Sequence, residues 1–405
     1  MNNTNVIKII KRNPQLIVFA GFFIYAFSLG AMFPRLDDIQ RSLEIDKAEL
    51  GFLLLCLPLG LQVTLLFADR LVRFIPLKSI ICLGIPLICF TQFAAAVINQ
   101  IAFFAFFLTV CGVFVAVVEV AINLEADRVE HALGTRIMNR SHAFWSIGFF
   151  AAAIIGAAFS QFKVTLEIHF LLICIISFII SKVFFEDYIV ASPRHSNIKK
   201  LKKISLPNGP ILVMVLFAMS AMLVEGASID WSVIFMREIH SASPIISGFS
   251  LAMAAFSQAI VRFFGDNLIN RYGPTLISTV SLVCMFLGVF LVFLSQSSLL
   301  AILGFLLMGA GSAVIFPMAV SIAASRNDRP AETNVASLTQ FAFGMFLLGP
   351  PVLGFIGETY SLRWSFAVCF PLLFLSCFML LVMIKKEPYF SKQFRETLIW
   401  FWRRK

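Results

Sequence analysis

An all-α polytopic membrane protein, with twelve transmembrane helices in two six-helix repeats, is the fold class this sequence predicts. Three observations carry it. Of 405 residues, 60% are hydrophobic and 13% charged, with a mean hydropathy of +0.91, far more apolar than a soluble chain of this length. Apolar runs of about 20 residues recur, each long enough to cross a bilayer as a helix; they are continuous rather than alternating, which disfavours a closed β-barrel. Stretches of the first half return in the second at a nearly constant offset.

The runs predict helices over 15–33, 50–68, 77–97, 101–124, 137–160, 166–185, 210–236, 245–264, 273–294, 299–322, 334–357 and 363–384. With the N-terminus inside, the inner segments hold 26 Lys and Arg residues. The outer ones hold Arg35, Arg41, Lys47, Lys163, Arg237 and Arg363. That bias places both termini in the cytoplasm. Residues 1–14 have no apolar core of their own, so no cleaved signal peptide is expected. The net charge of +10 is scattered over short loops, so no nucleic-acid partner is expected. All eight cysteines fall inside predicted helices, so no disulfide is expected. No Cys or His cluster suggests a metal, and no cofactor is read into the 46 phenylalanines.

The longest polar interruption, 186–209, carries Lys199, Lys200, Lys202 and Lys203 and reads as a cytoplasmic linker. It divides the chain into a cytoplasmic N-terminus (1–14), a six-helix half (15–185), a second half (210–384) and a tail (385–405). The aromatic and basic stretch 389–405 is expected to lie on the inner membrane surface. Asp69 and Asp266, after helices 2 and 8, are 197 positions apart, as are Gly51 and Gly248, which open those helices. "GFFAAAIIG" (148–156) and "GMFLLGPPVLG" (344–354) are 196 apart. Facing six-helix repeats are the build of a rocking transporter whose site lies at the midplane between them.

Several motifs then carry a resemblance. They are "ADRLVRF" (68–74), "EVAINLEADRVE" (119–130), "RIMNRSHAFWSIG" (136–148), "EGASIDWSVIFMRE" (225–238), "GDNLINRYGP" (265–274) and "FLLGPPVLG" (346–354). From about 15 to 385 the chain resembles the major facilitator superfamily, and more closely its YbjJ-like inner-membrane branch, distantly related to the fucose permease group. The resemblance implies inner-gate contacts by Asp69, Arg70 and Arg73, with a second copy at Asp266 to Arg271. Leu65 and Val72 stand where that signature has glycines, and Asn267 and Asn270 where charges are common. The resemblance therefore implies a gate with a weakened charge lock.

The stretch "LVEGASIDW" (223–231) puts carboxylates at the middle of helix 7. Charged groups at membrane depth are functional candidates by default. Glu225 is read as facing a central cavity with Ser228 and Ser232, where burial away from positive charge would suit it to carry a coupling proton or bind the solute. The other reading is a structural tie to a neighbouring helix. Gly226 and Ser228 predict a soft place in this helix. Asp230 could pair with Arg237 or Arg35 as an outer gate, touch solute or make a static bridge. Trp231 could stack on a solute ring or pack near the interface. Glu119 and Asn123, four apart on helix 4, are either a second cavity site or part of an inner charge cluster with Arg128, Arg136 and Arg140. His142, with Arg140 and Trp145 at the start of helix 5, is read as a hydrogen-bonded structural histidine ahead of a proton relay. Gln62, Gln258 and Gln340 are amides inside helices that a polar solute could satisfy, and Arg262 is expected to pair with Asp266.

These residues predict a monomeric secondary active transporter, moving a small polar solute (a sugar, polyol or vitamin-like molecule) across the inner membrane by alternating access. Its partners are the solute, protons and membrane lipid. Efflux of lipophilic cationic drugs is the alternative. A membrane enzyme would need a polar catalytic loop, and 34–49, the longest outer loop, pairs no nucleophile with a base. A non-transporting sensor on the same scaffold remains, distinguishable by solute flux. No GxxxxGK[ST] loop points to an ATP-driven pump. The charge distribution makes one direct prediction. A fluorescent protein fused after Lys405 is bright in cells, and alkaline phosphatase fused there is inactive; the reverse would place the C-terminus outside.

Overall fold

The computed structural model describes residues 13–67, 74–135, 137–192 and 206–386. Asp69, Arg70, Arg73, Arg136, the lysine run 199–203 and the tail 389–405 lie outside the described residues. The described chain is helical, with twelve helices long and apolar enough to cross a membrane. In chain order they are α1 Pro14–Leu43, α2 Lys47–Leu65, α3 Leu77–Ile98, α4 Ile101–Leu133, α5 Met138–Gln161, α6 Leu166–Phe185, α7 Gly209–His240, α8 Pro244–Tyr272, α9 Pro274–Leu294, α10 Ser298–Ser325, α11 Thr333–Thr359 and α12 Leu362–Lys385. In lipid every backbone N–H and C=O must be satisfied within the segment, which is why these runs have no alternative to helix.

Hydropathy locates the membrane, but helices end where caps and turns dictate. An Asp46–Glu49 capping box starts α2 three residues before the expected 50. The helices α4, α7 and α8 run past the expected 124, 236 and 264, and stop at left-handed Gly134 (φ 65°), Ser241 (φ 48°) and Gly273 (φ 83°). The first span is a straight helix to Gly30, a 3₁₀ turn at Phe33–Arg35 and a short helix Leu36–Leu43.

The expected soft place in α7 is not there. Its helix is unbroken from Gly209 to His240, with the Ser228 hydroxyl donating to Val224 O at 2.8 Å and Gly226 packed towards the Phe346 ring of α11. The breaks fall elsewhere. Within α10 the helix stops at Ser312 and resumes at Ile315, and within α12 it stops at Ala367 and resumes at Cys369. Pro317 and Pro371 explain both. A proline lacks its N–H and crowds the carbonyl four residues back, here Ala313 and Ala367. A third break, at Phe343 in α11, precedes Gly344.

Across the two sets of six helices, α5 packs along α8, and α2 packs along α11. Neighbours of α4 are α1, α2, α3 and α5, from its own set; those of the inner segment of α10 are α7, α9 and α11, from its own. The end carrying 34–49, outside by the charge count, is termed the outer end. There Lys47 Nζ sits 3.1 Å from both Glu238 of α7 and Glu358 of α11, and Arg237 Nε donates to Asp37 of α1 at 3.0 Å. Gln161 accepts from Ile245 N nearby. At the opposite end, Glu125 accepts from Tyr188 Oη and Ala191 N, while Asp328 accepts from Asn208 Nδ2. Each described end of the 186–209 segment is thus bonded to a carboxylate, Glu125 of α4 at one end and Asp328 of the α10–α11 turn at the other.

Close packing within the first six helices relies on glycine. A Cβ at Gly60 of α2 would stand 2.1 Å from Thr109 O, and one at Gly112 of α4 would stand 2.1 Å from Leu57 O. Backbones approach this closely only where small residues face each other. Gly60→Val or Gly112→Val is expected to destabilise the protein by about 1–3 kcal/mol, seen as a lower melting temperature in detergent. Gly209→Ala, which meets nothing within 4 Å, leaves it unchanged.

Candidate functional site

At mid-span, four helices converge on one guanidinium. Arg262 of α8 donates through Nη2 to Glu225 Oε1 and Oε2 at 3.2 and 3.4 Å, and through Nη1 to Ser146 Oγ of α5 at 3.0 Å. Its Nε donates to Ala313 O at 3.3 Å, in the α10 break. The carbonyl that Pro317 deprives of a helical partner is therefore satisfied by Arg262. All three guanidinium nitrogens are engaged, and the pair's side chains are only 13% and 10% exposed. An unpaired charge at this depth would cost several kcal/mol. Ser146 belongs to the first six helices, and Glu225, Ala313 and Arg262 itself to the second.

Beside the pair, a cavity of about 20 Å³ is lined by Glu225, Ser228 and Ile229 of α7, Leu251, Ala254, Ala255 and Gln258 of α8, Gly309 and Ser312 of α10, and Trp145 and Phe149 of α5. A space of this size holds one or two waters. Trp145 and Phe149 stack at 5.3 Å as one wall. Ser146 Oγ lies 3.4 Å from Gln258 Oε1. Glu225, Ser228 and Ile229 are i, i+3 and i+4, one face of α7.

The structure brings together Glu225, Ser228 and Gln258 of the expected site residues, and separates others from them. Glu225 is not remote from positive charge, because Arg262 reaches it, and Arg262 does not pair with Asp266. The reason is register: on α8, Arg262 points towards the midplane cluster, while half-buried Asp266 sits one turn further in. Glu119 accepts from Tyr25 Oη of α1 at 2.7 Å and from Asn123 Nδ2 at 3.2 Å, so this group is a local α1–α4 tie rather than an arginine cluster. Trp231 is fully buried, its indole against Gly354 of α11, and cannot stack on a solute in this packing. Asp230 is 9% exposed and pairs with neither Arg237 nor Arg35. Arg35 is buried and spent within the first six helices, on Asp38, His169 Nδ1 and Val164 O. The His142 ring makes no hydrogen bond with a described residue and stands edge-on to Phe22 at 5.1 Å. Gln62 and Gln340 are half-buried, apart from the cavity lining. Arg271 is exposed and lies over the Tyr272 ring at 5.2 Å.

Sequence reasoning missed the central roles of Arg262 and Ser146, and the outer contacts of Lys47, Asp37, Glu238 and Glu358. For Arg262 a signal existed: Gln258 and Arg262 are i and i+4, so one face of α8 carries both polar groups. For Lys47 there was none, since a lone lysine opening a helix reads as surface charge.

The buried pair makes a sharp prediction. Glu225→Gln or Arg262→Met alone strands a charge and is expected to cost about 3–5 kcal/mol. The double substitution recovers most of that. Thermal unfolding of the four proteins in detergent checks it; additive losses would mean the two side chains are not coupled.

With this geometry in hand, the comparisons with known proteins fall into place. The family model described as Major Facilitator Superfamily matches residues 18–347 and 213–398. An uncharacterized transporter of Sinorhizobium fredii is 28% identical over 363 residues, covering 87% of this chain and 93% of that protein. An uncharacterized MFS-type transporter of Yersinia pestis is 26% identical over 359 residues, covering 88% and 92%. Among solved structures, a mutant of the nucleoside transporter NupG superposes with a TM-score of 0.75 at 14% identity, covering 92% and 99%. A bacterial homologue of the human lysosomal transporter Spinster, inward-facing and occupied, gives 0.69 at 13% identity, covering 94% and 97%. The all-helical fold of twelve spans and a family match over most of its length say the same thing: this chain belongs to the major facilitator superfamily of transporters.

Proposed function

We propose that the protein is a secondary active transporter of a small, polar, uncharged solute, working by alternating access in the inner (plasma) membrane with both termini in the cytoplasm. The moving bodies are 15–185 and 210–384, joined by 186–209. One observation carries the reading. The Glu225–Arg262 pair lies at mid-span, is bonded to Ser146 of the opposite body, and sits beside a cavity that Gln258, Ser228 and Ser312 also line. A transporter site belongs at the midplane seam between repeats. Arg262 neutralises Glu225, so the site has no uncompensated charge to attract a lipophilic cation. What remains is hydrogen-bonding capacity beside an aromatic wall, which suits hydroxyl-rich or ring solutes.

Coupling to protons follows from the same pair. Protonating Glu225 would release Arg262, and with it the bond to Ser146 that joins the bodies. Closure at the outer end, by Lys47 with Glu238 and Glu358 and by Arg237 with Asp37, supports reading this conformation as the one that opens inward. Glu225, Ser228 and Gln258 are the proposed solute contacts.

A thermal-shift screen of purified protein against sugars, polyols, vitamins, nucleosides and cationic dyes tests the solute class. A polar hit that is lost in Glu225→Gln is expected, followed by flux in proteoliposomes that varies with pH in the wild type and not in that variant. Hits from cationic dyes alone would favour drug efflux. Full, pH-dependent flux in Glu225→Gln would remove its proton role.

A further inference from the structure

Asp230 has no work in the conformation described. Its side chain is nine-tenths buried, and it makes no hydrogen bond or ion pair with any described residue. Nearby cations are taken: Arg262 by Glu225, Lys47 by Glu238 and Glu358, Arg35 by Asp38. Its carboxylate keeps slight access to the solvent space but gives up most of its water without gaining a protein partner, which is costly, so its presence asks for another state in which it is used.

That state is indicated by Arg237, seven residues on. Positions i and i+7 are two turns apart on one face of α7, about 10.5 Å at 1.5 Å per residue. In this conformation the Arg237 guanidinium reaches Asp37 and Ala242 O; to meet Asp230 it would swing back towards the helix N-terminus, the direction helical side chains favour. Between them, Ile234 lines the outer vestibule of about 300 Å³ that Asp37 and Arg237 also border. Here Arg237 is held by Asp37, which sits on α1 and belongs to the other body. Its Nη1 donates to Ala242 O of its own body.

We propose that Arg237 exchanges carboxylates during transport, bonding Asp37 when the outer end is closed and Asp230 when it is open. As the bodies part, α1 carries Asp37 away while Asp230 stays with Arg237 on α7. The cation is then never stranded, and each end state keeps one ion pair. Asp230 is on this account a gate residue that sets the balance between states, not a solute ligand. The inference rests on the alternating-access reading above.

Spin labels at Ser42→Cys and Tyr360→Cys, one on each body at the outer end, in a background free of native cysteines, report the outer-open fraction by pulsed electron resonance in nanodiscs. Asp37→Asn is expected to raise that fraction about fivefold and Asp230→Asn to lower it about fivefold, the shift of one ion pair. The double variant returns near the wild-type value, and Asp230→Glu, which keeps a carboxylate on the same turn, restores it. Should Asp230→Asn leave the fraction unchanged or raise it, the exchange is overturned while alternating access stands. A single fixed distance in every variant overturns both.

Discussion

A guanidinium at membrane depth must have its charge and its donors satisfied, and the centre of this protein is arranged around that demand. Arg262 meets it with Glu225 of α7, Ser146 of α5 and the Ala313 carbonyl of α10. The last partner exists because Pro317 breaks α10 and frees it. A proline and an arginine far apart in sequence thus solve one another's problem: a carbonyl without a helical donor, and a donor without water. Hydrocarbon offers no substitute for either, which makes the cluster exacting in a way that surface ion pairs are not.

The same demand shapes how the two sets of six helices meet. Among the described residues, the hydrogen bonds and ion pairs that join them lie at the outer end or near mid-span. Charged contacts at the outer end border water and can break without burying a bare charge. At mid-span Ser146 accepts from Arg262, a charge that keeps its main partner within its own set, and donates more weakly to Gln258 Oε1 at 3.4 Å. On the far side, Glu125 of α4 accepts from Tyr188 and Ala191, and Asp328 of the α10–α11 turn accepts from Asn208, each within its own set of helices.

Legibility differed sharply between scaffold and site. The spans, their number and the face shared by Glu225 and Ser228 follow from local rules: run length, hydropathy and helical period. Arg262 was visible as an intramembrane charge, yet its partner was not, because Asp266 at i+4 on the same helix competed with Glu225, 37 positions away in sequence. Trp231 looked available from its place beside Asp230, and only the absence of a side chain at Gly354 shows where its ring goes. Lys47 carries no sequence signal at all; its two carboxylates come from the ends of helices almost 200 and more than 300 residues away.

The sequence alone determined the membrane-spanning, all-helical class, the twelve spans, the expected inside–outside charge asymmetry and the concentration of polar groups on α7. Those depend on composition and on periodicities within single helices, and lipid leaves the backbone few other options. Tertiary structure decided which charges meet, where α10 and α12 yield, and that α7 stays unbroken through Gly226. Each depends on side chains brought together from distant helices, and pairing energy in a low-dielectric interior falls so steeply with distance that one turn of register changes the partner.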